Sequence, residues 1–142
     1  MRRAQNIVIG SGFVGCAMAL SLARLGITVK LIDIADSRTE KKSDNRRLVL
    51  SHSSVDFLKR IGIWPSLQGL SHSIKKVKVL ERGRPFVVTF DASELGVENL
   101  GVSLSASLLL SVLRKRVSES PLINSLWKTE FKGFKHPERL VE

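Results

Sequence analysis

The chain has 142 residues, of which 43% are hydrophobic and 25% charged, and 23 basic against 13 acidic residues give it a net charge of +10. This length predicts one globular domain that buries about two-thirds of its unfolded surface. The basic residues are spread along the chain without a recognition motif, which argues against a nucleic-acid-binding protein. The single cysteine, Cys16, excludes an internal disulfide and reads as a small packing residue.

The apolar segments are too short for a membrane span. The longest one after the N-terminal region covers residues 104–113 and contains serines, whereas a transmembrane helix needs about 20 apolar residues. Together with the lone cysteine, this predicts a cytoplasmic protein, and association with a membrane surface is left open.

The first predicted elements surround a glycine-rich turn. Residues 5–10 read as a buried strand, 13–25 as a helix rich in small residues with Gly26 as its left-handed C-cap, and 28–33 as a second, parallel strand. Asp33 ends this strand. Strand, glycine-rich turn, helix, strand and acid within about thirty residues are the dinucleotide-binding fingerprint.

Each glycine of the turn has a predicted role. Gly10 permits the tight turn out of the strand, Gly12 lets a pyrophosphate approach the backbone, and Gly15 lets the helix lie close to the sheet. The helix N-terminus then points its N–H groups at the phosphates. The Asp33 carboxylate can accept hydrogen bonds from a ribose, and it would repel the 2′-phosphate of NADP. The motif alone does not distinguish FAD from NAD.

The later elements are predicted less sharply. They are a polar loop at 35–45, a helix at 51–61, a short helix at 66–70, a β-hairpin of strands 74–81 and 86–90, and a helix at 105–117. A serine at 51, 53 or 54 caps the first of these helices, and Gly62 ends it. Residues 118–142 have no clear period, so we expect a weakly ordered tail.

Isolated histidines give no metal site. His52 reads as a cap or surface residue, with contact to a flavin as the alternative, and His72 and His136 have no ligand spacing. Trp64 reads as a core residue.

Two blocks after the fingerprint resemble a known family. Residues 44–46 (DNR) and 50–64 (LSHSSVDFLKRIGIW) are similar to the D-x-R and L-S-x-x-S-V-x-x-L-x-x-L-G-[VI]-W motifs of the FAD-dependent hydroxylases of ubiquinone biosynthesis. These are the 2-polyprenyl-6-methoxyphenol hydroxylase group, relatives of the para-hydroxybenzoate hydroxylase flavoproteins. Residues 90–102 resemble a further run of the family, and the resemblance covers about residues 4–113.

The resemblance implies an α/β fold, the N-terminal part of a Rossmann-like FAD-binding domain of the glutathione-reductase type. That part would be residues 1–117, with a hairpin at 71–92 from the start of the substrate sheet and the 118–142 tail outside it. The implied cofactor is FAD, with Asp33 on the adenosine ribose and Arg46 near the phosphates and the isoalloxazine. The alternative for Arg46 is a solvated charge on a loop, and Arg47 is a second candidate for the contact. The implied contacts to the pyrophosphate lie in the turn: Gly10, Gly12, Phe13, Val14 and Gly15.

The resemblance also implies a reaction, the hydroxylation of a polyprenyl phenol through a flavin hydroperoxide, with NAD(P)H as an external reductant left open. It names no catalytic residue in this chain, and it leaves open association with a membrane or with a ubiquinone-biosynthesis complex.

The chain departs from the family pattern in two places. Ser105-Ala106-Ser107 stands where the relatives have an E-N-R or Q-x-x run, which predicts weaker FAD binding. The later FAD motifs of the family are absent, so we expect an N-terminal piece, with the hypothesis that the tail comes from a shifted reading frame. A non-catalytic remnant and an NAD-dependent dehydrogenase fragment are the alternatives.

Overall fold

The computed structural model describes residues 6–35, 46–83 and 85–133. Eight strands alternate with three α-helices and two short 3₁₀ helices in this part of the chain. The strands are β1 (Asn6–Ile9), β2 (Val29–Ile32), β3 (Arg47–Leu50), β4 (His72–Ile74), β5 (Lys76–Leu80), β6 (Val87–Asp91), β7 (Gly101–Ser105) and β8 (Ile123–Leu126). The helices are α1 (Phe13–Arg24), α2 (His52–Arg60) and α3 (Ala106–Glu119), and the 3₁₀ helices are Trp64–Ser66 and Gln68–Leu70.

A three-stranded parallel sheet carries the fingerprint. Its strand order is β1-β2-β8, with Asn6 opposite Val29 and Ile32 opposite Leu126. Helix α1 connects β1 to β2, and α3 leads into β8. Because the strands are parallel, the turn after β1 and the end of β2 meet at one edge of the sheet, where α/β proteins bind their ligands.

The prediction of a weakly ordered tail is wrong for residues 118–133, because this segment contains the end of α3 and strand β8. The backbone of β8 pairs with β2 along its whole length, and Ile123 is buried. The strand was missed because Asn124 and Ser125 interrupt its short apolar pattern, so that its stability comes from pairing with β2 rather than from local preference. Residues 134–142 lie outside the described residues, as does the predicted polar loop except for Ala35.

A second sheet is antiparallel, with the order β3-β7-β4, and the predicted hairpin is confirmed as β5-β6. Strand β7 was not predicted, although its residues alternate: Val102 and Leu104 are buried, while Ser103 between them points to the other face. Whether the hairpin belongs to a substrate sheet stays a prediction.

The core lies between the helices and the two larger sheets. It is built from buried aliphatic side chains of α1, β2, α2, β7 and α3, together with the predicted core residue Trp64. The ends of the helices follow local rules. The Ser51 hydroxyl accepts a hydrogen bond from the Ser54 N–H and caps α2, and Gly26 and Gly62 follow α1 and α2 at φ +76° and +74°. These caps confirm the predictions at those positions.

Among the described residues, no helix is both long enough and apolar enough to cross a bilayer.

Candidate functional site

The glycine-rich turn connects β1 to α1 as predicted. Gly10 has φ +94°, a backbone conformation that side chains other than hydrogen disfavour, and its N–H donates to the carbonyl oxygen of Ile32 at 2.7 Å. This hydrogen bond ties the turn to the end of β2. Gly12 is the N-cap residue of α1, and its carbonyl oxygen accepts the first helical hydrogen bond, from Cys16 N–H at 3.0 Å.

Gly12 and Gly15 are glycines for different reasons. A Cβ atom added at Gly15 would lie 1.8 Å from the carbonyl oxygen of Gly10, so the packing of the chain itself requires glycine there. Among the described residues, a Cβ atom at Gly12 would meet nothing within 4 Å, and its φ of −75° suits any residue. This part of the chain therefore gives no reason for a glycine at position 12, whereas a diphosphate lying against the turn would.

The start of α1 can hold an anion. Gly12 provides no side-chain cap, and the first turn of the helix carries no acidic residue. The first N–H groups of a helix lack partners within the helix and lie at the positive end of its dipole. Backbone N–H groups beside an open glycine are a phosphate-binding arrangement.

Asp33 lies beside this turn. Its Oδ2 accepts hydrogen bonds from the N–H and from the hydroxyl of Ser11, each at 2.5 Å, and its Oδ1 accepts one from the N–H of Ala35 at 2.8 Å. An ionised carboxylate has about four acceptor positions; the described residues fill three of them, which leaves one for a sugar hydroxyl. The structure thus brings Asp33 and the turn together.

The Asp33 carboxyl is held in its charged form. Burial alone would raise its pKa, but the hydrogen bonds from Ser11 and Ala35, with the nearby positive charge of Arg114, outweigh burial and place the pKa below its ordinary value. At neutral pH the Asp33 carboxylate therefore accepts hydrogen bonds and cannot donate one.

Phe13 and Val14 open onto an apolar cleft. Phe13 is half-buried, and Val14 is 81% exposed. The cleft has a volume of about 380 Å³ and lies between the start of α1, α2 and α3, with Ala17, Phe57 and Leu109 among its walls. Both residues therefore lie at the turn with their side chains on apolar surface, and their contact with the pyrophosphate stays a prediction.

Arg46 lies immediately before β3 and is exposed. Its carbonyl oxygen accepts a hydrogen bond from the N–H of Ala106 at 3.0 Å, which places its backbone at the first residue of α3. A role of its side chain at the phosphates stays a prediction. Arg47 is engaged on the antiparallel sheet, where its Nε donates to the hydroxyl of Ser103 at 2.9 Å and its Nη2 lies 3.1 Å from His72 Nδ1.

Arg114 is the residue of the site that the sequence interpretation missed. Its Nε donates to the carbonyl oxygen of Ser11 at 3.2 Å, and its Nη2 donates to the Ser11 hydroxyl at 3.1 Å. The helical phase places Arg114 at the edge of the apolar face, directly after Leu113, but this phase alone does not identify Ser11 as its partner.

The other reactive side chains have structural roles. Cys16 is fully buried and its thiol donates to the Ser11 carbonyl oxygen at 3.3 Å. Burial raises its pKa to about 11, against the opposing charge of Arg114, so the thiol stays protonated. His52 Nε2 lies 3.0 Å from Asn99 Oδ1 on the surface. Within the described ranges, no three His, Cys, Asp or Glu residues could hold a metal ion.

Comparisons with known proteins identify the family of the chain. A profile of the FAD binding domain family matches residues 3–142. The 3-demethoxyubiquinol 3-hydroxylase of Escherichia coli (strain K12) is 31% identical over 120 residues, covering 82% of this chain and 30% of the relative. Ubiquinone hydroxylase UbiL of Rhodospirillum rubrum is 27% identical over 120 residues, covering 83% and 28%. The chain therefore spans less than a third of either relative.

The fold has solved counterparts. The crystal structure of p-nitrophenol 4-monooxygenase PnpA from Pseudomonas putida DLL-E4 matches with a TM-score of 0.74 at 15% identity, over 94% of this chain and 34% of that one. The expected resemblance to FAD-dependent hydroxylases of ubiquinone biosynthesis, the α/β FAD-binding fold and FAD as the cofactor are confirmed. The family match runs to residue 142, whereas the expectation placed residues 118–142 outside the resemblance. The origin of this segment in a shifted reading frame stays a hypothesis.

Proposed function

Because the chain belongs to the FAD binding domain family, we propose that it provides the ADP-binding part of a FAD-dependent aromatic hydroxylase that acts on a polyprenyl phenol. The observation that carries the proposal is the open approach to Gly12 at an uncapped helix start, beside the ionised Asp33. The names of the Escherichia coli and Rhodospirillum rubrum relatives support the class of substrate.

The proposed contacts divide the cofactor between two sides of the turn. Backbone N–H groups at Gly12, Phe13 and Val14, with Gly10 and Gly15 shaping the turn, would hold the pyrophosphate. Asp33 would accept a hydrogen bond from the adenosine ribose and discriminate against a 2′-phosphate by charge. Arg46 would approach the phosphates from the start of β3.

The chemistry of hydroxylation belongs to the flavin, which activates O₂ once it has been reduced. The residues of this chain bind and orient the cofactor, and none is assigned a proton-transfer role. The reductant, the cytoplasmic location and association with a biosynthetic complex stay predictions.

Binding of flavin by the purified chain tests the proposal. FAD is titrated against the protein and the quenching of flavin fluorescence is followed for wild type, Gly12→Val and Gly69→Val. Position 69 is the matched control, since an added Cβ there also meets no described atom within 4 Å and the residue is exposed. We expect wild type and Gly69→Val to bind FAD alike and Gly12→Val to lose binding by about tenfold or more. Equal binding by all three proteins would exclude the turn as the site.

Hydroxylation is tested separately by adding a polyprenyl phenol and NAD(P)H to the flavin-loaded chain. A hydroxylated product would establish the enzyme activity in this chain. FAD binding without product would limit its function to holding the cofactor.

A further inference from the structure

Ser11 is a buried polar residue at the centre of the site, with 0% of its surface exposed. Each of its polar atoms has a partner. Its N–H and hydroxyl donate to Asp33, its hydroxyl also accepts from Arg114 Nη2, and its carbonyl oxygen accepts from Arg114 Nε. The serine between the first two glycines therefore joins the turn to β2 and to α3.

Arg114 differs from the basic residues that follow it on α3. The side chain of Lys115 is 76% exposed and that of Arg116 is 47% exposed, and both lie within 4.0 Å of Glu119. Arg114 instead turns toward Ser11 with two donors of its guanidinium, which a planar fork can aim at two acceptors simultaneously.

Trp127 also contacts this guanidinium. The Arg114 Cζ lies 5.6 Å from the centre of the Trp127 ring, within the range of a cation–π contact. Trp127 follows directly after β8, so the segment that was expected to be a loose tail supplies part of the support.

The same segment holds the backbone of Asp33. Asp33 N–H donates to the Leu126 carbonyl oxygen, and the Asp33 carbonyl oxygen accepts from Thr129 N–H, each at 3.0 Å. Side-chain and backbone contacts therefore fix the acid from two directions.

We propose that Arg114 is a positioning residue of the dinucleotide site, which fixes Ser11 and through it the backbone donors of the turn and the carboxylate of Asp33. Trp127 holds the guanidinium in place. The inference rests on the proposed function, because the site that Arg114 holds in shape is the proposed binding site for the ADP part of FAD. Without Arg114, the Ser11 carbonyl oxygen loses its guanidinium donor and keeps the Cys16 thiol, and the Ser11 hydroxyl keeps Asp33 as its partner. The turn, held by fewer hydrogen bonds, can then leave the shape that binds a diphosphate.

The test measures the affinity of the purified chain for FAD and for ADP, the probe that reports on this half of the site alone. Arg114→Met keeps the length and apolar stem of the side chain and removes the donors. Arg116→Met is the matched control on the same helix. We expect Arg114→Met to bind both ligands about tenfold more weakly and Arg116→Met to bind them like wild type.

Two further variants separate positioning from a general effect on folding. Arg114→Lys keeps the charge but cannot make both bonds of the fork, so it should restore part of the lost affinity. Ser11→Ala removes the shared hydroxyl, and its effect on ADP binding should be less than additive with that of Arg114→Met, since the two residues act through one contact.

Unchanged ADP binding in Arg114→Met, or full additivity with Ser11→Ala, would overturn the inference while leaving the proposed function intact. If Arg114→Met does not fold, Arg114→Lys and Ser11→Ala carry the test, and wild-type affinity in both would overturn it. A wild-type chain that binds neither FAD nor ADP would overturn the proposed function and this inference together.

Discussion

The carbonyl oxygen of Gly10 occupies the space that a side chain at Gly15 would need, because a Cβ atom there would come within 1.8 Å of it. The first turn of α1 therefore packs directly against the backbone that follows β1. The close approach sets the direction of the helix, and with it the direction in which its free N–H groups point. Gly15 thus shapes the turn through its close packing on Gly10.

Gly15→Ala should destabilise the protein strongly, because the obstructing atom belongs to the backbone and cannot rotate away. We expect a loss of about 2–4 kcal/mol in the free energy of unfolding, measured by urea denaturation. Gly12→Ala is the comparison, and it should change the free energy of unfolding by less than about 1 kcal/mol. Similar stabilities of the two variants would contradict the close approach.

Asp33→Asn should weaken FAD binding and change the acid sensitivity of the fold. Folding lowers the pKa of this carboxyl below its ordinary 3.8, so its stabilisation is complete above the unfolded pKa and is lost as the pH falls through the lower, folded value. Unfolding midpoints measured from about pH 6 down to pH 2 should therefore fall less steeply in Asp33→Asn than in wild type. An unchanged slope would mean that Asp33 titrates normally.

Asp91 is the control for this experiment. Its pKa is lowered to about 2 by hydrogen bonds from Lys76 and Ser93, and it lies at the end of β6, in the hairpin. Asp91→Asn should also flatten the acid limb of stability, but it should leave FAD affinity as in wild type. Loss of FAD binding in Asp91→Asn would show that affinity follows stability and not the contacts of Asp33.

Ser105→Ala should remove the N-cap of α3. The Ser105 hydroxyl accepts a hydrogen bond from Leu108 N–H at 3.4 Å, and we expect its loss to cost about 1 kcal/mol of stability. Ser111→Ala, within the same helix, should be close to neutral because alanine has the higher helix propensity. Thermal unfolding of both variants distinguishes capping from a general effect of losing a hydroxyl.

The Cys16 thiol should be unreactive in the folded protein. Burial raises its pKa to about 11, and only the thiolate is nucleophilic. A disulfide reagent at pH 8 should modify Cys16 at the rate at which the protein opens, and rapidly in denaturant. Fast modification of the native chain would contradict the burial.

The part of the site that the sequence predicted is local. The glycines at 10, 12 and 15 and the acid at 33 follow from a spacing fixed by one strand, one helix and the next strand. The hydrogen bonds between Arg114 and Ser11 join residues 103 positions apart, and no local pattern connects them. The sequence predicted α3 itself, but the phase of a single arginine at the edge of its apolar face became informative only once α3 was packed against α1.

Strand β8 shows the same limit for the fold. The four residues of β8, with two polar ones in the middle, have little intrinsic propensity to form a strand. Pairing with β2 stabilises them as one. The antiparallel strands β3, β4 and β7 were likewise missed, since their register is set by one another.

The contacts after β8 decide how far this chain could be shortened by design. A minimal version that stopped at Val117 would keep every glycine of the fingerprint. It would lose Trp127, which contacts Arg114, and the backbone groups of Leu126 and Thr129 that hydrogen-bond to Asp33. Anyone engineering a compact flavin carrier from this scaffold should place the last codon beyond Thr129.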